Sequence, residues 1–277
     1  MSNQNNKKSL LIADIWQNRR LIWKLSKNDF KKRYAGSYLG KFWAFVQPVV
    51  TVVMYWIVFD KIMQTKAQLV ASGVDVPYVL YLTAGLVPWF FFSEALTGGT
   101  SSLMEYNYLV KKVVFNINIL PVIKIISAVF THAFFALILI VIALLYGYTP
   151  SLYMLQVIYY IFCTFMLTLG AIYVTSAVVV FFKDLQQIIN ICLQLGMWAT
   201  PILWDMGMLS GNPTVQTLLK INPLCYIVMG YRSAIYGQRF FWEDGWYTLY
   251  FWAFTALLFL FGTSVFNKLK VHFADIM

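Results

Sequence analysis

The sequence predicts an all-α integral membrane protein with six transmembrane helices, and three observations predict it. The 277-residue chain is 60% hydrophobic and only 12% charged, whereas a soluble domain carries about 25% charged residues. Its apolar residues gather in six runs, roughly 42–60, 77–97, 119–146, 153–182, 185–204 and 246–266, near the length of about 20 residues that crosses a hydrocarbon core about 30 Å thick. Its basic residues crowd the N-terminus and one set of alternate loops. Lipid offers no partner for free backbone N–H and C=O groups, so each run must close on itself as a helix. A β-barrel would instead show short alternating segments.

The charge asymmetry orients the chain. With the N-terminus inside and six spans, sixteen of the 21 Lys and Arg residues fall on the cytoplasmic side. They include Arg19, Arg20, Lys24, Lys27, Lys31, Lys32, Arg33 and Lys41, then Lys111, Lys112, Lys124, Lys183, Lys268 and Lys270. Only Lys61, Lys66, Lys220, Arg232 and Arg239 fall outside. The positive-inside rule therefore puts both termini in the cytoplasm. The net charge of +10 is a matter of topology, since the chain lacks the polar basic face that nucleic acid needs.

Residues 1–40 read as a cytoplasmic segment and 41–277 as the six-span domain. The polar stretch Met1 to Lys8 shows no cleavable leader. Over 9–30, Ile12, Ile15, Trp16, Ile22, Trp23 and Phe30 recur at helical spacing with Arg19, Arg20, Lys24 and Lys27 between them. That pattern predicts an amphipathic helix in the cytoplasmic interface, touching membrane lipid. Pro88 falls inside the second run and predicts a kink. The inner loop 100–120 contains Met104, Tyr108 and Lys111/Lys112 about one turn apart, which predicts a short helix at 103–112. A tight inner connection, Phe182-Lys183-Asp184, joins the fourth and fifth runs. The outer segment 201–245 is long for a bare loop. Its apolar pieces at 214–221 and 224–236 are too short to span, and predict two re-entrant or interfacial helices.

The chain lacks the phosphate-loop pattern G-x-x-x-x-G-K-[ST], since Gly40-Lys41 has neither the upstream glycine nor the following hydroxyl residue. It has no catalytic motif of the zinc-protease or serine-hydrolase type. Cys163, Cys192 and Cys225 stand far apart; the first two sit inside runs as small core residues. His132, alone in a span, reads as an interhelical hydrogen-bonding group. Glu94 is the one carboxylate clearly inside a span, and so needs a cation such as Arg33 or Lys41, or a gating role. Aromatics make up 18% of the chain, many at belt positions. Phe42, Trp43, Phe45, Tyr55 and Trp56 crowd the first run, and Trp198 and Trp204 mark the fifth. They are candidates to line a passage on which sugar rings stack.

In order and spacing these parts resemble the transmembrane subunits of ABC exporters of the polysaccharide class, which move teichoic acids, O-antigens and capsules. The resemblance rests on Arg33-Tyr34, Tyr38-Leu39-Gly40, Trp43 and Gln47-Pro48; on Pro88-Trp89-Phe90; and on Asn107 through Phe115 with Pro121. It continues through Lys183-Asp184, Thr200-Pro201-Ile202, Asn222-Pro223 and Tyr231-Arg232. Asn116 stands where the family usually has proline. The resemblance implies a homodimer paired with two copies of a separate ATP-binding subunit, which holds the ATP and magnesium; this chain binds no cofactor and is not itself an enzyme. It implies a coupling helix with Met104, Glu105, Tyr108, Leu109, Lys111 and Lys112 facing that subunit. It implies an outer gate with Pro201 and Arg232, and a lipid-linked polymer as cargo. Two rival readings are a secondary transporter, which calls for inverted repeats, and a membrane-embedded polymer-modifying enzyme, for which Glu243-Asp244 is the only adjacent acidic pair.

Overall fold

A computed structural model describes residues 11–33, 38, 40–62, 68–69, 74–111, 115–209 and 211–276. Two helices, α1 (Leu11–Gln17) and α2 (Arg19–Arg33), precede the apolar part of the chain. Then come α3 (Trp43–Trp56), running into π-helical turns at Ile57–Ile62, and α4 (Tyr78–Thr100). Between them lies a two-residue antiparallel ladder, Gln68–Leu69 against Val74–Asp75, the sole strand pairing among the described residues. Single-turn helices α5 (Ser102–Glu105) and α6 (Asn107–Val110) lead to α7 (Leu120–Leu145), α8 (Gln156–Val179) and α9 (Leu185–Ala199). The chain ends with α10 (Pro213–Lys220), α11 (Pro223–Tyr236), α12 (Gly245–Leu269) and α13 (Phe273–Ile276).

Among the described residues, four helical segments are long and apolar enough to cross a membrane: Tyr78–Thr100, Ile117–Leu145, Leu152–Val179 and Gly245–His272. The other two runs are shorter than the sequence suggested. The first yields the apolar stretch Trp43–Phe59, and the fifth stops at Ala199 rather than 204. At 1.5 Å per residue these reach about 25 Å and about 22 Å, less than the hydrocarbon thickness of about 30 Å. The cause at Ala199 is local. Thr200 takes an extended backbone, φ −93° and ψ 138°, the conformation that a following proline, here Pro201, imposes on its neighbour.

The bundle is built around α4. Its best 18-residue window is 72% buried, against 22% for α12, which therefore lies on the periphery. The core divides into two clusters along the helix axes. One joins α4, α7, α8 and α11 around Tyr81, Leu139, Tyr160 and Tyr231. The other joins α2, α4, α7 and α8 around Ile22, Phe91, Ile123 and Tyr173. The second cluster lies at what is called here the amino-terminal face; α10, α11 and residues 200–244 form the opposite face. α8 and α12 meet at Gly170 and Gly262: a Cβ on Gly262 would fall 2.5 Å from the carbonyl oxygen of Gly170. Close backbone approach through small residues is how helices associate where apolar burial gives no net drive.

Several finer expectations change. The single helix expected at 103–112 is two separate turns, broken where Tyr106 adopts φ −101° and ψ 26°. Cys192, expected in the core, is exposed on α9, while Cys163 and Cys225 are buried. The amphipathic segment is helical over Leu11–Gln17 and Arg19–Arg33 and one face of it docks on protein, with Ile22, Ser26 and Asp29 buried, while Trp16 and Trp23 are exposed. Helices fall where the short apolar pieces of 201–245 were expected. α11 starts at Pro223, whose missing N–H suits a first turn, and Asn222 caps it by accepting from the Leu224 N–H at 3.0 Å. It stops at Gly237 in the left-handed region, φ 70°.

Candidate functional site: an ion-paired groove at the amino-terminal face

A groove of about 870 Å³ opens between α2, α3, α4 and the α5–α6 loop. That volume is in the range of small-ligand sites, about 300–1,000 Å³. Its walls carry Asp29, Lys32 and Arg33 from α2, Trp43, Gln47 and Thr51 from α3, and Ser93 and Glu94 from α4. Glu105, Tyr106 and Tyr108 of the loop and Lys124 of α7 close it.

The charged groups form one chain of contacts. Glu105 of the loop pairs with Lys124. The Lys124 ammonium lies 2.7 Å from Asp29. Asp29 lies 3.5 Å from Arg33, one turn further along α2. Arg33 pairs with Glu94 of α4, and Thr131 donates to Glu94 at 3.3 Å. The Tyr106 hydroxyl donates to Asp29 at 2.8 Å. Four separate elements thus meet through alternating charges. Burial pushes the Asp29 carboxyl up, but the Lys124 charge and hydrogen bonds from Lys124, Ser127 and Tyr106 outweigh it and hold the pKa below the ordinary value. Burial and the neighbouring Asp29 carboxylate push the Tyr106 phenol well up, so it stays a donor.

Two further contacts fix α1 and α2 to the bundle. Asn118 donates its amide to Asp14 at 2.7 Å, and Tyr173 donates to the Asn118 carbonyl at 2.9 Å. The Ser26 hydroxyl, 2.8 Å from the Ile22 carbonyl of its own helix, also lies 3.1 Å from the Ile123 carbonyl in the first turn of α7.

The sequence-predicted residues distribute unevenly. Glu94 and Arg33 meet in the groove, and Trp43, Glu105 and Tyr108 line it. Met104 and Tyr108 are exposed, Leu109 is half-buried, and Lys111 is exposed. Lys112 lies outside the described residues. The aromatics do not converge within one chain. Phe42 is exposed at the start of α3; Phe45 packs on Phe134 at 4.0 Å between ring centroids; Tyr55 and Trp56 pack against the core. Trp198 projects from α9, and the Trp204 indole donates to the Trp198 carbonyl at 2.9 Å. Arg232 is locked at the opposite face. It donates to the Pro201 and Ile202 carbonyls at 2.6 and 2.9 Å, and its guanidinium sits 3.5 Å from the Tyr81 ring centroid. His132 shares a 2.9 Å hydrogen bond with Tyr231, joining α7 to α11.

Sequence reasoning singled out neither Lys124 nor Asp29. The available signal was Lys124 itself, a charge one turn past Pro121 in a helix otherwise apolar over that turn.

Long, predominantly apolar helices packed side by side define a multi-pass membrane protein. The sequence matches the ABC-2 type transporter family over residues 20–236, most of the described bundle. The chain belongs to that family. It is 25% identical over 265 residues to the O-antigen export system permease protein RfbA of Myxococcus xanthus, covering 96% of this chain and 98% of the relative. It is 26% identical over 267 residues to a Klebsiella pneumoniae protein of the same name, covering 93% and 95%.

Proposed function

We propose that this chain is the membrane-spanning subunit of an ATP-driven exporter that carries a lipid-linked surface polymer, an O-antigen-like or teichoic acid-type glycan, across the bacterial inner membrane. In this reading the chain acts as a homodimer with two copies of a separate ATP-binding subunit. α3 and α9 complete six spans, both termini are cytoplasmic, and α10 and α11 are re-entrant helices at an outer gate. The full-length relationship to O-antigen export permeases supports the cargo class.

The observation that carries the reading is the charge chain Glu105–Lys124–Asp29–Arg33–Glu94. It ties the α5–α6 loop, which in this reading faces the ATPase side, to Glu94, six residues before the C-terminal end of α4. A rigid-body displacement of the loop is then transmitted to a spanning helix through contiguous ion pairs. Lys32 also presents a cation in this groove, which suits a phosphate-bearing lipid carrier. Exposed apolar residues on α3 (Val50, Val53, Met54) and α9 (Ile191, Leu195, Trp198) offer the surface a second copy would cover.

The test is export in cells. The chain is co-expressed with its ATP-binding subunit, and surface polymer is measured by lectin or antibody labelling while the ATPase is assayed in purified complex. Tyr108→Ala with Leu109→Asp should abolish export and loosen ATPase co-purification. An ATPase that still co-purifies and still responds to polymer sinks the coupling assignment.

A further inference from the structure

α1 and α2 run on as one helix. Asn18, between them, donates its N–H to the Asp14 carbonyl at 3.1 Å and accepts from the Ile22 N–H at 2.9 Å. The inner side of this helix is fixed to the bundle through Asp14, Ile22, Ser26 and Asp29. Its outer side carries two stripes. Arg20, Lys24, Lys27 and Lys31 follow one another at i, i+4, i+7 and i+11, and all four are exposed. Both carboxylates of the two helices, Asp14 and Asp29, are buried, so the outer side is basic with no acid of its own to balance it. Beside the basic stripe, Trp16, Trp23 and Phe30 recur every seventh residue along one edge. Arg19 and Lys27 lie over the Trp16 and Trp23 rings, 5.1 and 4.9 Å from the centroids.

The bundle sets the depth of that edge. Trp23 and Phe30 meet Phe130 of α7 edge to face, with ring centroids 5.3 and 5.9 Å apart. Beyond Phe130, α7 exposes Phe134, Leu137, Val141, Leu144 and Leu145. At 1.5 Å per residue, the rise from Phe130 to Leu145 is about 22 Å, most of a hydrocarbon core about 30 Å thick. The aromatic edge thus sits at the amino-terminal limit of an apolar strip that faces lipid, the level at which tryptophan bridges hydrocarbon and water. The cations beside it stand at the level of the headgroup phosphates. A zwitterionic lipid brings its own cation with each phosphate. An anionic lipid brings a net charge, which the unbalanced stripe Arg20-Lys24-Lys27-Lys31 attracts. Because the helix is already docked on the bundle, the surface exists before lipid binds.

We propose that the outer side of α1 and α2 is an anionic-phospholipid site, in which Trp16 and Trp23 enter the boundary of the hydrocarbon and Arg20, Lys24, Lys27 and Lys31 hold headgroup phosphates. The sequence pattern calls for contact with lipid; the docked geometry adds selection by headgroup charge. The site rests on the chain's crossing a membrane and on neither its cargo nor its ATPase.

The test uses the purified full chain in detergent micelles without any ATPase, so its outcome is separable from that of the export assay. Dioleoyl phosphatidylglycerol and dioleoyl phosphatidylcholine are added at equal mole fraction, and the lipids retained on the chain are counted by native mass spectrometry. Phosphatidylglycerol should be retained about tenfold over phosphatidylcholine. Arg20→Gln, Lys24→Gln, Lys27→Gln and Lys31→Gln together should bring the ratio within about twofold of unity. Taking the same number of charges from Lys111, Lys183, Lys268 and Lys270 by glutamine substitution should leave the ratio near its original value. Trp16→Ala with Trp23→Ala should lower the retention of both lipids and keep the ratio. The proposal is overturned if the chain shows no headgroup preference, if the second set of glutamines lowers the ratio as much as the first, or if the tryptophan variant retains both lipids as before. It is also overturned if a hexaglutamate peptide at equal charge displaces the phosphatidylglycerol, which makes the face a dock for an acidic protein.

Discussion

Replacing Lys124 with methionine removes the ammonium that lets α2 bury a carboxylate against α7. Asp29 is 6% exposed and sits 2.7 Å from the Lys124 ammonium, itself 5% exposed. Its remaining cation, Arg33, is further away at 3.5 Å and already engaged by Glu94. Stripping one partner from a buried pair costs about 3–5 kcal/mol, chiefly because the other charge stays behind unpaired. Arg33 and the Tyr106 hydroxyl still serve Asp29, which places Lys124→Met near the lower bound, about 3 kcal/mol. Neutralising both ends, Lys124→Met with Asp29→Asn, leaves no stranded charge and keeps an acceptor for Tyr106. The double variant should therefore recover most of the loss, with a coupling energy of about 2 kcal/mol. The four proteins are compared by reversible unfolding in mixed detergent and SDS, followed by far-UV circular dichroism. Single losses that simply add, with coupling below about 0.5 kcal/mol, refute the assignment of Lys124 and Asp29 as one buried pair.

Three other consequences are as direct. Because the Asp29 pKa lies below its ordinary value of 3.8, the pair contributes stability above that value and loses it as pH falls through the lowered folded value; the acid limb of a pH–stability curve should flatten in Asp29→Asn. Gly262→Ala puts a Cβ 2.5 Å from the Gly170 carbonyl oxygen, and the forced separation of α8 and α12 should cost about 1–3 kcal/mol, read as a lower unfolding temperature. Arg232→Lys keeps the charge but loses the planar fork that serves two carbonyls and the ring stack on Tyr81. It should destabilise by about 2 kcal/mol and, by limited proteolysis, loosen the 201–209 segment.

The helical class, the long runs of α4, α7, α8 and α12, and the two short helices after residue 212 were legible because apolar run length and proline punctuation are local signals. The lengths of α3 and α9 were not. Hydropathy continues past Ala199 into Pro201-Ile202-Leu203, and only the backbone turn at Thr200 ends the helix. At the groove, Glu94 announced itself as an isolated charge in a span, and Arg33 was a nameable partner. The rest of the chain of charges is a long-range property. Asp29 and Lys124 are 95 positions apart; Lys124 stands out as a charge in an apolar turn of α7, but Asp29 looks ordinary in a polar helix, so nothing local pairs them. What joins them is the docking of α2 onto α7 through Ser26 and Ile22, which follows from packing and leaves no local pattern. Tyr106 was hidden for the same reason, since its role comes from the break between α5 and α6.

The two ion pairs made by Lys124 differ in kind, and the difference says which part of the site moves. Asp29 is 6% exposed, so breaking its pair costs several kcal/mol and keeps α2 and α7 together as one body. The Glu105 side chain is 51% exposed. An exposed pair contributes about 0–1 kcal/mol, because water takes over when it opens. Lys124 can therefore release Glu105 at small cost while it keeps Asp29. Within the α5–α6 loop the Glu105 carboxylate is the detachable group, since Leu103, Tyr106 and Val110 are buried in the core and Tyr106 donates to Asp29, while α2 is part of the bundle. Under the proposed coupling role, a push delivered to the loop has two routes inward: the continuous backbone from α5 into α4, and the Lys124 contact. The first moves α4 directly, and the second is intact only while Glu105 is seated. The amphipathic helix has one face held by the bundle through Ile22, Ser26 and Asp29 and another, with Trp16 and Trp23 exposed, free for the lipid interface that the sequence assigns to it.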